Sequence, residues 1–452
     1  MRASGILSPM HHQPISRVLN LIPEADQRPA NLSAEEARRL LLAADPAGVL
    51  GIAGSFALVA QEGVRVCLAR SLDRPLRYFL AKQAAGPMLV VADRIDAIRD
   101  CLEKEGAGDQ FHPSYTRMVP AHHVTEIQLV GCPDPNPVHR RFFDPLRGVL
   151  PPDLDAIGAA YVRALLEEIA LWLDGVPRQE PLGVLFSGGI DSGSVLLGLY
   201  HQLLARGESP ARLKAFTLAV DGGGSDIAQA REFLARTGLG LLGEEIEVAS
   251  ADLDPFAAVA VIEDYKPLDV ECATLGLALL GALRRRYPDW RHLLDGDGGD
   301  ENLKDYPIEE NRELTIKSVV NNRMLYQEGW GVEAIKQSLT YSGGLSRGCV
   351  RGYAPARRYG FSLVSPFTRP RVIAVAEAIP FAALTEGSHQ ALYGLKGEVL
   401  ARGFRQVTGF DLPVFPKRRF QNGALPEAAF ARHFAVPQER YRRHFLDLYS
   451  PA

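Results

Sequence analysis

The stretch that decides the fold is LGVLFSGGIDSGSVLLGLY, residues 182–200. Its apolar first part, Leu182–Phe186, predicts a buried strand of a parallel sheet. A turn rich in serine and glycine, Ser187–Ser192, follows, and apolar residues then return at the spacing of a helix. Backbone N–H groups of a glycine turn and of a helix's first turn point at one spot, which favours phosphate. The sequence therefore predicts a phosphate-binding loop here.

The residue types in this loop suit a nucleotide that carries a metal ion. Gly188 and Gly189 let the backbone approach a ligand closely, because they have no Cβ atom. Ser187 and Ser192 add hydroxyl donors. Asp191 would repel phosphate unless a divalent cation lay between them, so its presence predicts Mg²⁺. The alternative is an ordinary strand-to-helix turn in which serine and aspartate cap the helix.

Composition and charge exclude several classes of protein. At 452 residues the chain is long enough for two or three domains. The net charge of −4 gives no electrostatic case for nucleic-acid binding. No apolar run reaches membrane length, and the five scattered cysteines, with no CxxC pair, favour reduced thiols. We therefore expect a cytoplasmic protein with neither a membrane nor a nucleic-acid partner.

A second chemical cluster, DGDGGDE at residues 295–301, ends a predicted strand with four carboxylates. Strands alternate with helices from residue 182 onward, which predicts a parallel sheet whose ligands bind at the carboxyl ends of its strands. Both motifs then share one edge of the sheet. Crowded carboxylates are stable only beside cations, so Asp191 and Asp300 are candidate ligands of Mg²⁺. A flexible acidic turn is the alternative; the spacing does not fit an EF-hand.

These motifs are similar to those of a known enzyme family. SGGIDS resembles the pyrophosphate loop of ATP-pyrophosphatases, and DGDGGDE resembles the SGEGSDE segment of the asparagine synthetase and β-lactam synthetase family. The resemblance implies that ATP binds at the loop and that Asp300 shares Mg²⁺ with Asp191. It also implies that Asp297 lies beside the reacting carbonyl and helps to deprotonate an amine. Adenine would contact the main chain at Leu185, Leu218 and Gly296.

A lysine near the α-phosphate is a further expectation from the resemblance. PKRRFQNG at residues 416–423 is similar to the family's RQKEQFSDG segment, so Lys417 is the candidate catalytic lysine. Its charge would stabilise the phosphorus during attack by a carboxylate and then the oxyanion formed by the amine. Lys396, in a segment that looks like the family's KYLLR helix, is the second candidate. By itself, a basic run such as KRR is more typical of a solvated surface loop.

Three further residues, together with Lys396, are candidates for contacting the acyl substrate. Asp264 and Asp269 lie where the family has its EEPFGDPSA substrate loop, and either could bind an amino group. An exposed charged loop is the alternative. Tyr306 ends NLKDY, which stands where the family has LFGGY beside the acyl group. The changed turn predicts a changed acyl pocket.

The chain before the loop resembles the glutaminase domain of the same family. Stretches such as GSFALVAQEGVRVCLARSLDRPLRYF and MLVVADRIDAI look like that domain's hairpin and its FASEIKAL segment. The glutaminase nucleophile is a cysteine at the first position of the mature chain, whereas here Arg2 follows Met1 and the first cysteine is Cys67. We therefore expect a degenerate domain that does not hydrolyse glutamine.

The expected architecture is α/β in four parts. Residues 1–29 form a polar segment, 30–147 a degenerate Ntn-type sandwich, 153–435 an ATP-pyrophosphatase domain with a parallel sheet and C-terminal helices, and 436–452 a tail. The resemblance implies an ATP- and Mg²⁺-dependent ligase that adenylates a carboxylate of a small molecule or peptide and joins it to an amine. The amine would be on the same substrate, on a second one, or free ammonia.

Two alternatives remain open at this stage. One is a sulfur-inserting relative, although such enzymes usually need paired cysteines or a metal cluster, and the sequence arranges none. The other is a non-catalytic nucleotide-binding protein. A homodimer or a partner protein of the same pathway is expected to accompany the chain.

Overall fold

The structure is a computed structural model, and it describes residues 17–130, 137–305, 308, 315–321, 349–416, 423–425 and 427–450. Within these residues the strands form three sheets. Two sheets of four strands lie in the N-terminal part of the chain, and one sheet of five strands follows. No helix of these residues combines the length and the apolarity that crossing a membrane requires.

The strands and helices have the following bounds. The strands are β1 Arg17–Asn20, β2 Ala57–Glu62, β3 Arg65–Arg70, β4 Arg77–Gln83, β5 Gly86–Ala92, β6 Arg117–Met118, β7 His123–Gln128, β8 Val138–Arg141, β9 Leu182–Leu185, β10 Leu213–Val220, β11 Gly243–Val248, β12 His292–Leu294 and β13 Ser362–Val364. The helices are α1 Ala34–Ala43, α2 Pro46–Leu50, α3 Ile95–Lys104, α4 Leu154–Asp174, α5 Ile190–Ala205, α6 Ser225–Arg236, α7 Pro255–Ile262, α8 Pro267–Arg286, α9 Gly299–Asn302, α10 Ile316–Asn321, α11 Ala354–Arg358, α12 Pro370–Ala378, α13 Phe381–Thr385, α14 His389–Thr408, α15 Glu427–Phe434 and α16 Gln438–Asp447.

The N-terminal part is a sandwich of two sheets with a helix on each outer face. Strands are ordered β1-β5-β4-β6 in one sheet and β2-β3-β7-β8 in the other. Leu68 of β3 and Leu89 of β5 belong to one buried cluster, so the sheets pack face to face. Helix α1 covers the β2–β3 face, and α3 covers the β4–β5 face. The sequence predicted this sandwich.

The edges of the sandwich differ from the sequence prediction in two places. Strand β1 lies within the segment 1–29, which was predicted to be polar and outside the domain, yet it pairs in parallel with β5. Residues 48–60 are an apolar stretch whose sequence favours a strand, but its first three residues end helix α2. That helix forms because Asp45 caps it and Pro46 occupies its first position, where a missing N–H costs nothing.

The five-stranded sheet is parallel throughout, with the order β11-β10-β9-β12-β13. The sequence predicted this parallel sheet. Strand β9 lies between β10 and β12, and Val184 of β9 is aligned with Leu294 of β12. The turn after β9 and the turn after β12 therefore emerge side by side, as the sequence predicted.

Helices α4 and α14 cross at a very short distance. A Cβ atom added to Gly158 of α4 would lie 2.5 Å from the carbonyl oxygen of Val399 and 2.8 Å from the amide nitrogen of Gly403, both on α14. Only glycine allows backbones to approach this closely. The crossing holds α14 against the sheet, and α14 carries Lys396 toward the turn after β9.

Candidate active site

The turn after β9 has the geometry of an anion-binding loop. Gly188 has φ +75°, and a Cβ atom there would lie 2.5 Å from the backbone nitrogen of Ala230. The backbone N–H groups of Ser187 and Gly189 donate to the hydroxyls of Ser192 and Ser187, each at 3.3 Å. Helix α5 then begins at Ile190. The structure thus places the predicted phosphate-binding residues in one turn at a helix N-terminus.

The turn after β12 packs directly on this loop. A Cβ atom at Gly296 would lie 2.6 Å from the backbone nitrogen of Ser192, and one at Gly299 would overlap the Asp191 carboxylate. The two glycines therefore let the acidic turn touch the phosphate loop. Leu185 ends β9 beside Gly296, and Leu218 lies on β10, the neighbouring strand. These are the positions to which adenine contacts were assigned.

Lys396 joins the two aspartates that were predicted to bind Mg²⁺. Its Nζ atom donates to Asp191 Oδ2 at 2.5 Å and to Asp300, and it lies 3.6 Å from Asp305 Oδ2. The lysine is 3% exposed. Burial opposes its charge, but Asp191 and Asp300 hold the pKa of Lys396 well above its ordinary value. The ammonium is therefore charged and fixes both carboxylates toward one point.

Asp191 and Asp300 converge on one point, so their chemistry can be compared with that of a metal site. Among the described residues, no group of three or more His, Cys, Asp or Glu side chains is arranged to hold a metal by itself. Mg²⁺ is usually bound by one or two carboxylates together with substrate phosphates and water. Two carboxylates that meet one cation beside a phosphate loop match that pattern, so the donor set fits Mg²⁺ bound with ATP.

Two aspartates, the buried Asp295 and the half-buried Asp297, form a carboxyl pair at the end of β12. Asp295 Oδ1 accepts hydrogen bonds from the hydroxyl of Ser365 and, at 3.3 Å, from the backbone N–H of Asp297. Burial, with the neighbouring Asp297 carboxylate, raises the pKa of Asp295 well above its ordinary value. Asp295 therefore keeps its proton to a higher pH than an ordinary aspartate does.

Asp297 also interacts with a half-buried arginine, Arg351. Burial raises the pKa of Asp297, the guanidinium of Arg351 opposes that rise, and the charges of Asp300 and Asp269 add to it. Asp297 is therefore a carboxyl group with a raised pKa beside a fixed positive charge. A carboxylate with a raised pKa is a stronger base than an ordinary aspartate, as a general base requires.

Arg351 is the functional candidate that the sequence analysis missed. Its Nε donates to Asp269 Oδ1 at 2.9 Å, and its buried Nη2 has no hydrogen-bond partner among the described residues. The acidic groups of Asp297, Glu301 and Cys272 raise its pKa against the effect of burial. Burial raises the pKa of the Cys272 thiol to about 11. No motif surrounds Arg351, so only its position in the fold reveals it.

The remaining predicted residues have different outcomes. Asp264 and Asp269 are each 3% exposed, so the alternative of an exposed charged loop is wrong. Asp269 accepts a hydrogen bond from Arg351, which connects it to the site. Asp264 instead accepts from the backbone N–H groups of Tyr265 and Lys266 before α8. Lys417 and Tyr306 lie outside the described residues.

The comparisons with known proteins agree with the motifs. Residues 176–342 match the family model described as asparagine synthase. The matched stretch contains both turns of the site and ends before Arg351 and Lys396. The search of curated proteins gave no significant match to the chain.

Proposed function

We propose, starting from the asparagine synthetase-like domain at residues 176–342, that this protein is an ATP-dependent, AMP-forming amide ligase. A substrate carboxylate would attack the α-phosphorus of ATP and release pyrophosphate. An amine would then attack the activated carbonyl and release AMP. One observation carries the proposal: Asp191 and Asp300 meet at Lys396 directly beside the glycine loop.

The phosphate end of the site would hold ATP and Mg²⁺. The N–H groups at the start of α5 point toward the phosphates, as at other helix N-termini. When bound between Asp191, Asp300 and the phosphates, Mg²⁺ would neutralise the charge of the leaving pyrophosphate. Lys396 supplies a second, permanently charged group at the same place. Lys417 stays our candidate for the α-phosphate.

The acyl end of the site would bind the carboxylate substrate and take the proton of the amine. Asp297 is the proposed general base, because its raised pKa places it closer to the pKa of an attacking amine. The N–H proton of the amine would move to Asp297 as the C–N bond forms and the bond to AMP breaks. Arg351, with its buried Nη2, would bind an anionic group of the acyl substrate.

The amine would not come from glutamine hydrolysed in the N-terminal sandwich. Cys67 is fully buried in β3, where its neighbours are core residues, and burial raises the pKa of its thiol. A neutral, buried thiol is a poor nucleophile. This supports an amine that is part of a substrate, or free ammonia, and fits a biosynthetic or peptide-modifying role.

A trapping assay tests the reaction class. The protein is incubated with Mg²⁺, ATP, a panel of carboxylic acids and hydroxylamine, and hydroxamate, AMP and pyrophosphate are measured. We expect all three in equal amounts. The Asp191→Asn and Asp300→Asn variants should abolish them, whereas Asp174→Asn, which changes an exposed carboxylate of α4, should not. ADP and phosphate as products, or glutamine-dependent turnover that requires Cys67, would contradict the proposal.

A further inference from the structure

A buried charge cluster joins the N-terminal sandwich to the following part of the chain, which carries the five-stranded sheet. Its centre is Arg74, whose Nε donates to Asp26 Oδ1 at 2.9 Å and whose Nη1 donates to Asp73 Oδ2 at 2.8 Å. All three residues are at most 8% exposed. We call Asp26, Asp73 and Arg74 the interdomain clamp. Each of its two carboxylates also binds a residue of the following domain.

The first arm of the clamp reaches the segment that carries Arg351. Asp26 Oδ2 accepts hydrogen bonds from the hydroxyl of Tyr353 at 3.0 Å and from Arg357 Nη1 at 2.9 Å. The guanidinium of Arg74 also stacks over the Tyr353 ring, 4.6 Å from its centroid. Tyr353 lies two residues after Arg351. Asp26 therefore fixes the backbone that directs Arg351 toward Asp297.

The second arm reaches Arg369, four residues after the serine that binds Asp295. Asp73 accepts from Arg369 Nη1 at 3.0 Å and from Nη2 at 2.9 Å. Arg369 follows the short turn that begins after Ser365, and Ser365 donates its hydroxyl to Asp295. Burial opposes the charge of Asp73, but Arg369 and Arg74 hold its pKa below the usual range. This pairing is therefore ionic at neutral pH.

The two arms bind close in sequence to Arg351 and Ser365, the residues that interact with Asp297 and Asp295. We propose that the interdomain clamp positions Arg351 and Ser365, so that the N-terminal sandwich sets the shape of the pocket around these carboxyls. The sandwich then has a function that needs no nucleophile of its own. Asp26 and Arg74 are positioning residues, since they act through Tyr353 and Arg357.

The local structure around Arg351 explains why such support is needed. The segment Cys349–Tyr353 is a single π-helical turn, and α11 that follows has only five residues. Helices this short are unstable in water without tertiary contacts. Bidentate and buried charge-assisted hydrogen bonds fix both distance and direction. The clamp therefore supplies the orientation that the segment cannot maintain alone.

Hydrogen exchange measures this positioning without any substrate. In Asp26→Asn, we expect the amides of residues 351–358 to exchange about tenfold faster, because Tyr353 and Arg357 lose their charged acceptor. Alkylation of Cys272, which is buried against Arg351, should accelerate in parallel. Tyr353→Phe removes one hydroxyl and should give a smaller change of the same kind, even if Asp26→Asn folds poorly.

The controls separate positioning from general loosening. Glu105→Gln removes an ion pair with Arg17, and both residues belong to the sandwich. The substitution should leave the exchange of residues 351–358 and the alkylation of Cys272 unchanged. The amides of α5 should exchange at the wild-type rate in every variant. Unchanged exchange at 351–358 in Tyr353→Phe and Asp26→Asn, or an equal rise in α5, would overturn the inference. The pocket's role in ligation rests on the proposed function, but this measurement does not, so the two can fail separately.

Discussion

Replacing Lys396 by methionine should destabilise the protein in a way that Mg²⁺ reverses. The ammonium binds Asp191 and Asp300 and lies near Asp305. Methionine keeps the length and the apolar stem but removes the charge, so three carboxylates face one another at the end of the sheet. A divalent cation at the same point would restore the attraction that the lysine supplied.

The size of the effect follows from the burial of the three groups. Removing one partner of a buried ion pair costs about 3–5 kcal/mol, because the other charge stays buried. The side chain of Asp300 is 40% exposed, so water screens part of the repulsion and the lower end, about 3 kcal/mol, applies. For a large domain each kcal/mol lowers Tm by about 2 °C, which predicts a fall of about 6 °C.

Thermal unfolding with and without 10 mM Mg²⁺ measures this directly. Lys396→Met should lose about 6 °C without Mg²⁺ and regain most of it with Mg²⁺, whereas the wild type should respond little. Lys214→Met is the matched control: its partner Glu244 is 3.6 Å away and the lysine is 32% exposed, so Tm should change by less than about 2 °C. An equal Mg²⁺ response in Lys396→Met and in the wild type would refute the reasoning.

Four further outcomes are expected. The rate of amide formation should rise with pH through a pKa above the ordinary aspartate value, since Asp297 must be ionised to accept a proton, and Asp297→Asn should lower kcat at least about 100-fold. Gly188→Ala should abolish binding of a fluorescent ATP analogue in titration, because its Cβ would meet Ala230. Gly403→Ala should lower Tm by several degrees, as α4 and α14 must separate. The pKa of Asp73 is depressed by folding, so its contribution to stability is present above the unfolded pKa of about 3.9 and is lost as pH falls from there to its lower folded pKa; in denaturant titrations, Asp73→Asn should flatten the loss of stability below about pH 4.

The two turns of the site could be predicted because their chemistry is local. The loop at residues 187–192 is defined by a strand, glycines and an aspartate that are adjacent in sequence. The DGDGGDE turn is likewise defined by adjacent glycines and carboxylates after a strand. The parallel order of the sheet then brings both turns to one edge. Such features follow from hydrophobic periodicity and turn residues alone.

The lysine and arginine of the site could not be predicted in the same way. Lys396 was the second choice because the resemblance of PKRRFQNG to the family's lysine segment favoured Lys417. The burial of Lys396 and the close packing of α14 on α4 leave no signal in the sequence around the lysine. Arg351 lies in a segment without a motif. Its role follows from its own contact with Asp269 and from the bond of the nearby Tyr353 to Asp26, both far away in sequence. Long-range pairing of this kind leaves no periodic signal.

Transfer of an oxygen atom tests adenylation most directly. A carboxylic acid that supports hydroxamate formation is labelled with ¹⁸O in its carboxyl group, and the AMP produced is examined by mass spectrometry. If the carboxylate attacks the α-phosphorus, one ¹⁸O atom must appear in the phosphate of AMP for each amide formed. Label that stays out of AMP, or that appears in inorganic phosphate together with ADP, would contradict the account.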